Sequence, residues 1–145
     1  MSLSFDFSDD QNMMRDAIRT FCKEEIAPLV EEAEKTESFP QELFPKMAEM
    51  GLLGICFDEK YGGLGLDKVT QCILAEELGK TCAGIAKGVA AHVDLGSLLI
   101  AKFGTEEQKE NLMLEFPNIY EKIKHNRVLS WYFRFPISFS SLKTR

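Results

Sequence analysis

A helix-capping signature followed by apolar residues at helical spacing recurs along this chain up to about residue 110, with no strand-like alternation between the repeats. Ser8-Asp9-Asp10-Gln11 opens the first unit. The Ser8 hydroxyl can accept from the backbone while Gln11 reaches back, and two acids sit at the positive end of the dipole. Met14, Ile18, Phe21, Ile26, Leu29 and Val30 follow at a helical period. Pro28 falls inside that run, where its ring removes a donor and predicts a kink. Ser38-Phe39-Pro40-Gln41 predicts a second capping box before a short helix carrying Leu43, Met47 and Met50, closed by Gly51. Pro45 lies late enough in it to make the opening turn irregular. GLLGICF, residues 51–57, is too short and glycine-punctuated for a helix and reads as an extended segment along the core. Asp67 then caps a third helix whose Val69, Ile73, Leu74 and Leu78 share a face and which ends at Gly79. Residues 82–104 read as a fourth, rich in Gly and Ala, carrying Ile85, Val89, Val93, Ile100 and Phe103 and ended by Gly104. Thr105 to Gln108 predicts a third capping box. Helix upon helix with short connections is an all-α bundle.

Composition narrows the functional classes. A chain of 145 residues is the size of one domain, and such a domain buries roughly 70% of its unfolded surface. A net charge of −6 argues against nucleic acid as a partner, because phosphate affinity needs basic clusters. Cys22, Cys56, Cys72 and Cys82 show no C-x-x-C spacing, and with two histidines, His92 and His125, no metal site is expected. All four cysteines lie among apolar residues and read as small buried hydrophobes in a reducing compartment. The opening MSLSFDFSDDQ lacks the features of a signal peptide, and no run of about 18 apolar residues occurs, so no membrane span is expected. The expected location is cytoplasmic.

The balance of residues changes near residue 111. Residues 1–111 hold 11 Lys and Arg against 21 Asp and Glu; residues 112–145 hold 6 against 2, and 7 of the 15 aromatics. VLSWYFRFPISF, residues 128–139, fits neither a helix stripe nor a regular strand, and its low charge and high β-propensity make it an aggregation hazard if exposed. The chain therefore divides into a helical domain, 1–111, and an atypical aromatic and basic tail, 112–145.

Between two helical patterns lies the glycine-dense turn of GLLGICFDEKYGGLGLD; AEELGKTCAG and AAHVDLGSLLIAKFGTEEQKE follow. Together with FDFSDDQNMMRDAIRTFCKEEIAP and FPQEL…MAEMGLLG ahead of them, these blocks resemble the N-terminal helical domain of the acyl-CoA dehydrogenases, in the same order, over residues 5 to about 111. In that family the turn joins helix to helix. A dinucleotide fingerprint needs a strand before it and a helix start on its last glycine, and GGLGLD has the wrong length. The turn is thus read as structural, with Gly62, Gly63 and Gly65 supplying positive φ.

The resemblance implies a flavoenzyme that removes a proton from Cα and a hydride from Cβ of an acyl-CoA, passing electrons to electron-transferring flavoprotein. FAD serves the full-length family, held chiefly by a middle β domain and a C-terminal bundle that also supplies the catalytic carboxylate. Neither domain has a counterpart here, so the chain is expected to be a truncated N-terminal domain, inactive alone and without bound FAD. No catalytic residue is assigned. Glu76 and Glu77 lie beside an apolar face, but helical spacing leaves at least one of them solvated.

What the resemblance does imply is one wall of the acyl pocket. By position, Lys87, Gly88, Ala91, His92 and Leu95 face the cleft as substrate-binding candidates, and spacing puts 88, 91, 92 and 95 on one helical face. Packing of small residues against another helix is the alternative use of the same stripe. His92 matches a family position in a V-H-N-S-L-like block, whereas Asp94 stands where relatives carry a small hydroxyl residue. His92 and Asp94, two apart on a helix, point in different directions and form no dyad.

The tail departs from the family's continuation. A truncated gene or frame change, a divergent element covering the bared face, and expression-derived residues are the three readings. The competing function is a non-enzymatic helical self-association module, and a homo-oligomer is expected because the apolar stripes and Trp131, Tyr132, Phe133 and Phe135 exceed what a small cluster of helices can bury.

Overall fold

Ser8 begins the first helix as the sequence predicts. Its hydroxyl accepts from the Gln11 backbone at 3.2 Å while the Gln11 side chain accepts from the Ser8 backbone at 3.0 Å. The structure, a computed structural model, describes residues 6–113, with side chains through residue 110. Helix α1 spans Asp9–Phe21 and continues through a π turn, Cys22–Ile26, into α2, Ala27–Thr36. The disturbance expected at Pro28 takes this form. The Ala27 amide donates to the Cys22 carbonyl five residues back, and the widened turn directly precedes the ring, which occupies the first turn of α2.

Helix α3, Leu43–Glu49, opens irregularly through turns at Pro40 and Gln41 that receive the Leu43 and Phe44 amides. The expected second capping box is absent: no side chain caps α3, and the Ser38 hydroxyl pairs instead with that of Thr36 at 2.7 Å. Pro40 directs the chain into a turn before the helix begins, so Ser38 lies too far upstream to reach its first amides. Gly51 ends this unit with φ of 71°. The stretch expected to be extended is coiled, a 3-10 turn at Leu52–Gly54 followed by tight turns. It does run along the core, with Leu52, Leu53, Ile55 and Phe57 buried.

A second 3-10 turn, Glu59–Tyr61, leads to the glycines and then to α4, Lys68–Thr81. Asp67 caps α4, accepting from the Thr70 amide at 2.8 Å and the Thr70 hydroxyl at 2.7 Å. The helix does not stop at Gly79 but runs two residues further, since nothing about that position requires a left-handed conformation. Ile73, Leu74 and Leu78 are buried as expected, while Val69 in the first turn is exposed. Helix α5, Ala83–Ala90, passes through a second π turn, Ala91–Ser97, into α6, Leu98–Phe103; α7, Glu106–Met113, follows. Gly104 ends α6, and Thr105 and Gln108 form the last capping box, at 2.9 and 3.2 Å.

Helix α4 is the centre of the assembly, packing on α1 and the first π turn on one side and on α5 on the other. The fully buried Ile18, Ile26, Leu43, Met47, Leu52, Leu53, Ile55 and Leu78 form its heart, each stabilising the fold by about 1.5–3 kcal/mol through area removed from water. Among the described residues there are helices and turns and no strand, which makes the fold all-α. Of the cysteines, Cys22 and Cys82 are buried, Cys56 is half-buried and Cys72 is exposed, correcting the expectation that all four are core residues. Cys72 follows Gln71 on the outer side of α4, opposite the Ile73–Leu74 contact.

Ala83–Phe103, 21 residues, is long and apolar enough to cross a membrane by length and composition alone, contrary to the sequence expectation. Its alanines and its valines, leucines and isoleucines raise the average. It carries Lys87, Asp94 and Lys102, and its Ile85, Val89 and Val93 are buried within the bundle.

Candidate functional site

The glycine turn is closed upon itself. Backbone amides of Gly62, Gly63, Leu64, Gly65 and Leu66 donate to the carbonyls of Glu59, Asp58, Gly54, Phe57 and Ile55, at 2.8–3.2 Å. Every amide that could cradle a phosphate is therefore spent inside the loop. Gly62 and Gly65 have the expected positive φ, 81° and 63°. Gly63 does not; it is needed because a Cβ there would lie 2.1 Å from the Phe57 carbonyl oxygen. The turn does not fit the pyrophosphate of FAD, and no flavin chemistry is routed through it.

Helix α5 and the following π turn carry the five wall candidates. Gly88 lies against Phe39, a Cβ there falling 2.8 Å from the ring. Phe39 stacks obliquely on Phe44 with centroids 4.8 Å apart, and Phe44 meets His92 edge-on at 6.2 Å. Gly88 and His92 thus meet one aromatic group, and Ala91 is half-buried beside His92. His92 is 6% exposed, and burial lowers its pKa to about 4, so the ring is neutral at physiological pH. Lys87 and Leu95 lie outside this group and are exposed. The single face expected for 88, 91, 92 and 95 presupposes 3.6 residues per turn. The π turn from Ala91 to Ser97 breaks that period, and the buried positions become His92, Val93 and Ser97, whose hydroxyl donates to the His92 carbonyl at 2.9 Å. Asp94 turns outward and accepts from Gln71 at 2.6 Å, so it makes no dyad with His92.

Two charged groups have partners that the sequence reading did not find. Glu77 is 5% exposed, with Arg19 Nε 3.0 Å from one carboxylate oxygen and Lys80 Nζ 3.1 Å from the other. Burial alone would raise its pKa, but the hydrogen bonds from Arg19 and Lys80 outweigh it and hold the carboxyl below its ordinary range. Glu76 is exposed and pairs with Lys80 at 2.6 Å. Glu77 therefore fastens α1 to α4, and its lone pairs are committed to cations rather than to a substrate proton. Around Glu106, the Tyr61 hydroxyl donates at 2.5 Å while Lys60 and Lys109 lie at 3.2 and 3.1 Å, pulling the Glu106 pKa down to about 2. This clasp holds α7 against the glycine turn. Among the described residues no group of three or more His, Cys, Asp or Glu side chains could hold a metal ion.

The family model for the acyl-CoA dehydrogenase N-terminal domain matches residues 8–116. The chain belongs to that family. This acyl-CoA dehydrogenase domain is 43% identical over 108 residues to a probable acyl-CoA dehydrogenase of Bacillus subtilis, covering 74% of the chain and 28% of the relative. Among solved structures it is similar to the butyryl-CoA dehydrogenase of Megasphaera elsdenii, at 32% identity and a TM-score of 0.72, over 79% of this chain and 31% of that one. It is also similar to the acyl-CoA dehydrogenase of Bacillus anthracis complexed with FAD, at 38% identity and a TM-score of 0.71, over 77% and 19%. The domain spans under a third of the length of these relatives. The fold and family expected from the sequence are as found.

Proposed function

We propose that this domain contributes one wall of the acyl pocket in an FAD-dependent α,β-dehydrogenation of acyl-CoA thioesters, and that it does not turn over on its own. The observation that carries the reading is the close approach of Phe39 to Gly88, in a group that continues through Phe44 to the neutral His92. A wall that must lie along an alkyl chain needs little side chain, no charge and rigid backing, and this patch supplies all three. The closed glycine turn and the committed Glu77 support assigning the flavin and the base to other parts of a complete subunit. Electron-transferring flavoprotein is the partner this reading implies for such a subunit.

The test is a graft. Residues 8–113 replacing the corresponding domain of a full-length relative should yield an FAD-loaded enzyme that oxidises acyl-CoA, and Ala91→Phe in the graft should raise KM or abolish turnover. An FAD-loaded graft that is indifferent to Ala91→Phe would refute the wall assignment. The chain alone should give no turnover with an artificial electron acceptor.

One observation favours the second reading, a self-association module: Leu95, Leu99 and Phe103 are 51%, 61% and 81% exposed. A homo-oligomer built on that stripe would show a concentration-dependent mass and no flavin.

A further inference from the structure

Cys22–Ile26 and Ala91–Ser97 are both π turns, but only the first has a proline to cause it. Cys22–Ile26 leads directly into Ala27 and Pro28, whose ring disturbs the ladder of an α-helix. Ala91–Ser97 holds no proline, and no residue in it forbids regular helix. A hydroxyl sets it apart. Thr20, Thr36 and Thr81 each donate to the carbonyl four residues back, of Asp16, Glu32 and Glu77, at 3.0, 2.7 and 3.2 Å, the habit of a hydroxyl in an α-helix. Ser97 donates five residues back, to His92, at 2.9 Å. That spacing belongs to a widened turn, and Ser97 is 5% exposed, so water does not stand in for the bond.

We propose that Ser97 is a positioning residue, whose bond to His92 selects one of two registers that this helix can adopt. In the observed register Val93 and Ser97 are buried, Ala101 packs against the core four residues on, and Leu99 and Phe103 are open to water. Regular helix from Ala83 to Phe103 continues the face of Ile85, Val89 and Val93 through Gly96, Ile100 and Phe103, flanked by Leu99, and carries Ala101 outward. The hydrophobic effect favours that second register, because it covers Leu99 and Phe103. The buried Ser97–His92 bond, which regular helix cannot make, opposes it. The two registers part beyond His92, so the contacts of Gly88 with Phe39 and of His92 with Phe44 belong to both, and the proposal stands apart from the acyl-wall assignment.

Thiol reactivity toward 5,5′-dithiobis(2-nitrobenzoate) reads the register in the 145-residue chain. With Cys56→Ser and Cys72→Ser in the background, the native thiols that remain, Cys22 and Cys82, are buried. Leu99→Cys and Ala101→Cys, introduced one at a time, report the two sides of the helix. With Ser97 intact, Cys at 99 should react fast and Cys at 101 slowly. Adding Ser97→Ala should slow the first and speed the second, several-fold each, while helical circular dichroism persists. Ser97→Thr keeps the hydroxyl and should leave both rates near those of the parent. Three results overturn the proposal: rates at both positions unmoved by Ser97→Ala, both rates rising together as in a helix that merely frays, or a threonine variant that behaves as the alanine one does.

Discussion

Arg19 and Glu77, 58 residues apart in sequence, meet with Nε 3.0 Å from Oε2, the carboxylate nearly sealed from water and the guanidinium half open to it. Arg19→Met keeps the aliphatic stem but leaves Glu77 with Lys80 as its remaining cation. Because Lys80 persists and Arg19 is solvated, the expected loss is well short of the roughly 3–5 kcal/mol of a fully stranded buried charge. The Glu77 carboxyl is held below its ordinary value, so its contribution is present above the unfolded pKa and is lost as pH falls through the folded one. Urea midpoints should drop less steeply below pH 4.5 in Glu77→Gln than in the parent chain; parallel curves would contradict the pairing.

His92 acts in a different window. Its folded pKa of about 4 lies below the unfolded 6.5, so between those values the unfolded state binds more protons and stability rises with pH. Acidification from pH 6.5 to 4 should cost on the order of 3 kcal/mol through this group. Replacing His92 by Gln should flatten the pH dependence there, and NMR titration of the imidazole should give a midpoint near 4. A midpoint near 6.5 would mean that the ring is not buried against Phe44.

Capping should discriminate between three hydroxyls. Ser8→Ala and Thr105→Ala each remove a backbone hydrogen bond and should cost about 1 kcal/mol. Ser38→Ala removes a contact to Thr36 and no cap, and its thermal midpoint should hardly move. Equal losses at all three positions would contradict the irregular start of α3.

Two glycines should respond with opposite signs. Gly63→Ala drives a methyl to 2.1 Å from the Phe57 carbonyl oxygen, backbone that cannot swing aside, and should cost several kcal/mol. At Gly79, inside α4 with nothing within 4 Å of a Cβ, alanine should stabilise by about 0.5–1 kcal/mol. Chemical denaturation of the two variants side by side is sufficient.

These contrasts mark where the sequence is legible. Caps at Ser8, Asp67 and Thr105 and the stops at Gly51 and Gly104 rest on residues within four of one another, so local chemistry decides them. The period of Ile73, Leu74 and Leu78 found the core face of α4. What misled was the assumption of an unbroken 3.6-residue turn, which no local residue contradicts between Ala91 and Ser97. The burial of Glu77 was not decided because its partner Arg19 is on another helix, and spacing alone leaves open which of Glu76 and Glu77 is solvated. Gly63 was assigned the wrong reason, since close approach of Phe57 is a tertiary fact. Phe103 was assigned to the core on period alone and is exposed, because periodicity names a face without naming what covers it. Residues 128–139 lie outside the described part of the chain.

The turn at Ala91–Ser97 acts as a phase shifter on a rotating shaft. Accommodating about one extra residue there turns everything downstream by about 100° relative to the helix upstream. Ile85 and Val89 therefore aim into the bundle while Leu95, Leu99 and Phe103, two turns on, aim away from it. One helix in this way addresses two surfaces at once. Deleting a single residue from the turn would re-time the second half against the first, swinging the outward stripe without altering a side chain in it.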